Sequence, residues 1–301
     1  MIIRSKRKGK YPDYEGRRRL KNRIIAIAIV IFFILGFNRD HAKINEYTEI
    51  ESVKYSYHFP DLGQGDCTII KSESKCIVVD TGPYEERFMC GHYVDKLTDV
   101  VDLLVFTHPH SDHIGGFEEL LARVEVRCVM IPDVTDTNSQ YERYLSLIRD
   151  AGIDLIRVKP GYIYPVGDIE LYVLAPFRDD TDDDNENSIV IKAKTDEVSL
   201  LVTGDIGHKV EKELIDTYGD LMKCDILKVP HHGSANSSSA EFLEAVSPEY
   251  AVVCCSDTNV YGHPAWQTQK RLKEAGIPYY PTYKYGTIVM VSDGKNVELC
   301  Q

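Results

Sequence analysis

The stretch "FTHPHSDHIGG", residues 106–116, places His108, His110, Asp112 and His113 within six positions. A core histidine satisfied by one hydrogen bond usually stands alone, so this crowding needs another reason. The run before it, "VVDLLVF", is apolar and reads as a buried strand. Pro109 falls inside the cluster and Gly115–Gly116 closes it, which marks a loop at a strand end, ahead of a helix over "FEELLARV". Imidazole nitrogens with a carboxylate at this spacing suit a borderline metal such as zinc. His108 and His110 can converge on one ion, while Asp112 and His113 can turn toward a second.

Working outward, strand and helix signals alternate along the chain. "YSYHF", "CTIIKS", "CIVVDTG", "VDLLVFTH", "RCVMIP", "IELYVLAP", "SIVIKAK", "VSLLVTGD", "DILKVPHH", "YAVVCCS" and "GTIVMVS" read as strands. "SQYERYLSLIRDAG", "KVEKELIDTYG", "SAEFLEAVS" and "AWQTQKRLKEAG" carry helical spacing, three of them stopped by glycine. Such alternation predicts layered sheets covered by helices. Five more strand ends carry polar residues: "FPDLGQGD" with Asp61, Gln64 and Asp66, "VVDTG" with Asp80, "LLVTGD" with Asp205, "LKVPHHGS" with His231, His232 and Ser234, and "YGHP" with His263. One such end is an ordinary turn cap; together they point to a single site.

The pattern HxHxDHxGG with a later TGD aspartate and a further histidine resembles the metallo-β-lactamase fold superfamily. The combination "DLGQGD", "HPHSDHIGG", "NENSIV", "LLVTGD", "KVPHHGS" and "YGHP" is similar to the metallo-β-lactamase domain of the ComEC-type competence proteins, over residues 58 to about 290. The layout also resembles bacterial teichoic-acid phosphorylcholine esterases. No set of further apolar spans accompanies it, so DNA transport is not expected of the chain itself. The resemblance implies an α/β (α+β) four-layer αββα sandwich with two divalent metal ions, zinc first and manganese as the alternative. His108 and His110 would bind the first ion, Asp112, His113 and His232 the second, and Asp205 would bridge them. Many superfamily members place another histidine before the TGD aspartate. Between Asp112 and Asp205 this sequence has His113 alone, and "DNENS" offers Asn185 or Asn187 for that place, an asparagine that the ComEC-type pattern shares. The expected catalytic groups are Asp112, accepting a proton from water, His231, meeting charge on a phosphoryl oxygen or protonating the leaving group, and Asp66. Asp80, like Asp66, is expected to orient a ligand imidazole. Ser234, His263 and Asn185 are expected to contact the substrate.

The chain has 301 residues, 43% hydrophobic and 27% charged, with a formal net charge of −12. Ten basic residues and two acidic ones precede residue 24, which makes the head +8 and leaves −20 for residues 24–301. Behind the head stands "IIAIAIVIFFILGF", residues 24–37, an uninterrupted apolar run. As a helix it covers about 21 Å of a roughly 30 Å hydrocarbon core. No convincing small-x-small cleavage site follows, so an uncleaved signal anchor is expected, its basic side cytoplasmic and the body outside. A cleaved, secreted form is the alternative. The expected organisation is a basic tail at 1–23, a transmembrane anchor at 24–37, a linker at 38–54 and a hydrolase domain at 55–301. The eight cysteines form no CxxC pair and several sit in apolar runs, which favours free buried thiols.

The expected reaction is hydrolysis of a phosphodiester, in DNA or in a cell-wall phosphoester. The acidic body, without a basic stripe, counts against a long nucleic acid. A phosphorylcholine esterase is the second enzymatic reading. Lactamase activity ranks third, because fold does not fix function. A non-catalytic binding module is the reading from another class. No protein partner is implied.

Overall fold

The computed structural model describes residues 52–133, 139–177 and 183–300. The basic head, the apolar run at 24–37 and all but the last three residues of the 38–54 linker lie outside them. Among the described residues no helix is long and apolar enough to cross a membrane.

In chain order the strands are β1 (Tyr55–Phe59), β2 (Thr68–Ser72), β3 (Cys76–Val79), β4 (Val100–Val101), β5 (Leu103–Val105) and β6 (Glu125–Val126). They continue with β7 (Cys128–Ile131), β8 (Asp154–Arg157), β9 (Ile163–Val166), β10 (Ile169–Ala175), β11 (Val190–Thr195) and β12 (Val198–Val202). The last are β13 (Ile226–Lys228), β14 (Tyr250–Val253), β15 (Tyr279–Pro281), β16 (Ile288–Ser292) and β17 (Val297–Cys300). An eight-stranded sheet runs β17-β16-β1-β2-β3-β5-β7-β8 and a seven-stranded one β15-β14-β13-β12-β11-β10-β9. The strands β3, β5, β7 and β8 are parallel, as are β12, β13, β14 and β15.

Strand periodicity creates the layers, because alternate side chains leave opposite faces of a sheet. In the first sheet Ile70, Ile77, Val79, Leu103, Val105 and Met130 face inward, where they meet Leu171, Ile191, Leu200, Ile226 and Val252 of the second. The intervening Ile69, Val78, Leu104 and Val129 face outward and are covered by helices α1 (Arg87–Leu97), α2 (Ser111–Ile114), α3 (Phe117–Leu121) and α4 (Ser139–Asp150). On the far side Leu201, Leu227, Ala251 and Val253 are covered by α5 (His208–Tyr218), α6 (Ala240–Val246) and α7 (Trp266–Glu274). A last turn, α8, spans Thr282–Tyr285. The result is the αββα sandwich.

The structure differs from the sequence reading in three places. Helix α1 was not expected, since "RFMCGHYVDKL" has a central glycine and no clean apolar stripe. It forms because Gly91 lets it close on α3: a Cβ there would stand 3.0 Å from side-chain carbons of Glu119 and Arg123. The exposed or short strands β8, β9, β15 and β17 lack strong alternation. Finally, the metal-type cluster is not all loop, because Ser111–Ile114 is a helical turn that carries Asp112 and His113.

That turn is keyed to the end of β3. The Thr81 N–H donates to His113 O at 2.6 Å, and the Gly116 N–H donates to Gly82 O at 3.2 Å. A Cβ on Gly116 would collide with the Thr81 carbonyl oxygen. Gly116→Ala should therefore destabilise the fold by about 1–3 kcal/mol, the cost of overpacking, read as a lower urea midpoint at unchanged slope.

Candidate metal centre

The loops that follow β1, β3, β5, β12, β13 and β14 meet at one edge of the sandwich. There Asp112, His113, Asp205 and His232 each offer one ligand atom, all within 4.8 Å of one another. The His113 Nε2 atom lies 3.3 Å from Asp205 Oδ1. The His232 Nε2 atom lies 3.3 Å from Asp112 Oδ2 and 3.5 Å from Asp205 Oδ2. His113, Asp205 and His232 are buried and Asp112 is partly exposed.

Each imidazole is aimed by its other nitrogen. The His113 Nδ1 atom lies 2.7 Å from Asp80 Oδ2, and the His232 Nδ1 atom lies 2.8 Å from the Cys254 carbonyl oxygen. Asp80 is fixed in turn by the Thr107 N–H at 2.8 Å and the Thr107 hydroxyl at 2.7 Å. Asp66 stands behind His232, with Oδ1 3.2 Å from His232 Nδ1, and pairs on its other side with the fully buried Lys228. Asp66 thus supports an imidazole and does not line the cleft.

Electrostatics agree with the geometry. Burial raises the Asp205 carboxyl, but His232 and His113 outweigh it and hold the group well below the usual carboxylate range. Burial disfavours charge on His232, yet Asp205 and Asp66 push it up to about 10. The Nε2 atoms of His113 and His232 and Asp205 Oδ1 are buried and lack a hydrogen-bond partner. Carboxylates that draw positive charge onto imidazoles whose unpartnered nitrogens converge on them fit a divalent cation, which would take the place of those protons.

His108 and His110 stand beside this group. The His108 ring centroid is 4.1 Å from that of His113, and His108 Nε2 is 3.1 Å from His110 Nδ1. His108 Nδ1 lies near the hydroxyls of Thr107 (3.1 Å) and Ser188 (3.3 Å). Burial, with His113 adding to it, pushes His108 well below the usual histidine range, which leaves a neutral ring able to ligate. His110 Nε2 is 3.7 Å from Asp184 Oδ2, so the "DNENS" segment does approach the first pair. Asn185 reaches the cleft, whereas Asn187 is buried.

The cleft above the centre measures about 310 Å³. His231 and His263 line it, and His231 Nε2 is 3.7 Å from Asp205 Oδ2. Burial lowers both rings, His263 to about 4 with His232 and His231 adding to the effect. Ser234 is not at the cleft. Its hydroxyl accepts from the Asn236 N–H at 3.3 Å, and its N–H donates to His231 O at 2.8 Å, so it shapes the turn. That turn is tight: His231 and His232 have φ of 49° and 51°, a left-handed conformation that costs non-glycine residues energy. It is clamped by the loop behind it. The Glu211 carboxylate accepts from the Ser238 and Ser239 N–H groups, while Arg271 donates to the carbonyls of Ala235, Ser237 and Ser238.

Sequence reading missed Lys228, Thr107, Ser188 and Tyr261. Lys228 had a signal, a lysine closing the fully buried strand "ILK". Thr107 and Ser188 had none, because a hydroxyl beside a histidine looks like any loop residue. All eight cysteines are free; Cys67 and Cys90 approach to 3.8 Å as thiols.

An αββα sandwich with a histidine–aspartate cluster at one edge defines the class as metal-dependent hydrolase. Residues 60–257 match the metallo-beta-lactamase superfamily, and the chain belongs to that family. It is similar to ComE operon protein 3 of Bacillus subtilis (strain 168), 30% identical over 76% of this chain and 32% of that one. It is also similar to competence protein ComA of Neisseria gonorrhoeae, 31% identical over 76% of this chain and 31% of that one. Both are ComEC-type competence proteins. The chain thus spans about a third of the length of these relatives. The metallo-beta-lactamase fold protein YhfI from Bacillus subtilis superposes with a TM-score of 0.53 at 11% identity, over 79% of this chain and 100% of that one.

Lys228→Met should destabilise the protein by about 3–5 kcal/mol, because it strands the Asp66 carboxylate in the core. Asp66→Asn placed in the same chain should recover part of that loss, and urea unfolding of the two variants measures both effects.

Proposed function

We propose that the chain is a metal-dependent phosphodiesterase of the ComEC type, held at the membrane by residues 24–37 with its body, residues 55–301, outside the cytoplasm. The observation that carries this reading is the convergence of Asp112, His113, Asp205 and His232 beneath an open cleft with the His231 and His263 rings on its wall. Those four residues would hold one divalent ion; His108, His110 and Asp205, with Asn185 or Asn187 nearby, would hold the other. Bound zinc or manganese would lower the pKa of water and offset charge on the phosphoryl oxygens.

The chain's own groups supply the rest. Asp112, partly exposed at the cleft floor, accepts the proton of the attacking water. His231, 3.7 Å from Asp205, donates to a phosphoryl or leaving oxygen. Among the described residues no lysine or arginine lines the cleft, so the amides of Gln64 and Asn185 and the His263 ring make the remaining polar contacts with substrate. The acidic body favours a second reading, an esterase that releases phosphorylcholine, whose quaternary ammonium is the cationic part.

The purified chain, loaded with Zn²⁺ or Mn²⁺, is to be assayed on bis(p-nitrophenyl) phosphate, labelled DNA and p-nitrophenyl phosphorylcholine. Cleavage of the first two is expected, and Asp205→Ala should abolish it together with bound metal. His231→Ala should lower turnover about 10²–10⁴-fold with metal content unchanged. Cleavage of the phosphorylcholine ester alone would establish the second reading, and inactivity on all three would refute both.

A further inference from the structure

Three rings climb in steps from the metal centre to the rim of the cleft. His232 and His263 are 25° from parallel with centroids 6.3 Å apart. His263 and Tyr261 are again 25° from parallel, at 5.7 Å. His232 is buried, His263 partly so, and Tyr261 is 69% exposed. An exposed tyrosine is usually free to swing, but the backbone beneath this one is pinned. The Asn259 side-chain amide donates to the carbonyls of Ser256 and His263, at 2.5 Å each. Its oxygen accepts from the N–H groups of Tyr261 (3.1 Å) and His263 (2.9 Å). The same loop is tied to the centre, since the Ser256 N–H donates to Gln64 Oε1 at 3.2 Å.

We propose that Tyr261 is a stacking platform for the nucleobase next to the scissile phosphate, which makes single-stranded oligonucleotides the preferred substrate class. This rests on the phosphodiesterase reading. A ring on a pinned backbone that stacks on one neighbour and opens to solvent suits another flat group, and base–aromatic stacking tolerates any base. A quaternary ammonium is recognised by several ring faces that surround it, and among the described residues the exposed Tyr261 ring stacks on His263 alone. A duplex base is already stacked and paired, so the platform selects unpaired strands. Stacking also answers the charge problem, because it binds a strand without the lysines and arginines that the cleft lacks.

The test uses the full metal-loaded chain and a fluorescein-labelled single-stranded hexanucleotide, intact or with one abasic residue scanned along it. Tyr261→Ala should raise KM about tenfold or more on the intact strand, and Tyr261→Phe should restore it. At one abasic position wild type should show the same rise, and Tyr261→Ala should add nothing to it. Equal KM for wild type and Tyr261→Ala on the intact strand would overturn the proposal. So would a Tyr261→Ala effect that persists undiminished at every abasic position, which is what a structural role predicts. If no phosphodiester is hydrolysed, the phosphodiesterase reading fails by itself. Anisotropy then decides the platform: tenfold weaker binding of the strand by Tyr261→Ala supports it, and equal or undetectable wild-type binding overturns it. A KM response to Tyr261→Ala confined to p-nitrophenyl phosphorylcholine would assign the ring to a quaternary ammonium instead and overturn the nucleobase assignment.

Discussion

The buried carboxylate of Asp205, facing the imidazoles of His113 and His232, is the interaction on which the rest of the structure depends. A carboxylate taken out of water is costly unless positive charge and hydrogen bonds meet it. Here four aspartates, Asp66, Asp80, Asp112 and Asp205, lie within one cluster of loops, and among the described residues Lys228 is the one buried lysine set among them. The remaining demand for positive charge falls on the imidazoles and would be met by a divalent cation in the candidate site. A protein that only needed to fold would not concentrate so much negative charge at the end of its core.

Support for that arrangement reaches far along the chain. The donor atoms belong to the turn after β5, the end of β12 and the turn after β13, yet each ring is aimed from elsewhere. His113 is held by the aspartate after β3, and His232 by a carbonyl after β14. The parallel strands make this possible, because they deliver their C-terminal ends to one edge of both sheets. Between those ends the chain needs close backbone approach, which Gly115 and Gly116 provide against the loop after β3. The strand-end geometry and the candidate site therefore share residues: the same Thr107 that closes the strand end also fixes Asp80.

Much of this was legible in the sequence, for identifiable reasons. The layers followed from the succession of strand and helix signals, and an unbroken apolar run such as β5 marked a strand buried on both faces: Leu103 and Val105 enter the central core while Leu104 packs under helices. The candidate group was visible because histidines and aspartates recur after apolar runs, and the structure brings Asp112, His113, Asp205 and His232 together. Helix α1 was hidden because its packing rests on a glycine, which propensity counts against a helix. Ser234 illustrates the opposite error. It sits in a chemical-looking motif, but its hydroxyl serves a backbone N–H, and residue type alone cannot tell the two uses apart. The Lys228–Asp66 pair spans 162 positions of sequence, beyond the reach of any local pattern.

The left-handed pair His231–His232 carries a consequence for how this loop can vary. Neighbours on a strand point to opposite faces and neighbours on a helix diverge by about 100°; here two identical side chains are turned so that one ring reaches the ligand group while the next faces the open cleft. Their identities do not distinguish them; their count from the end of β13 does. Removing one residue between Lys228 and His231 would leave both histidines present but deliver His232 to the address of His231, and inserting one would deliver His231 to the address of His232. The motif is thus a ruler as much as an inventory: what it positions is set by its length as well as by its side chains.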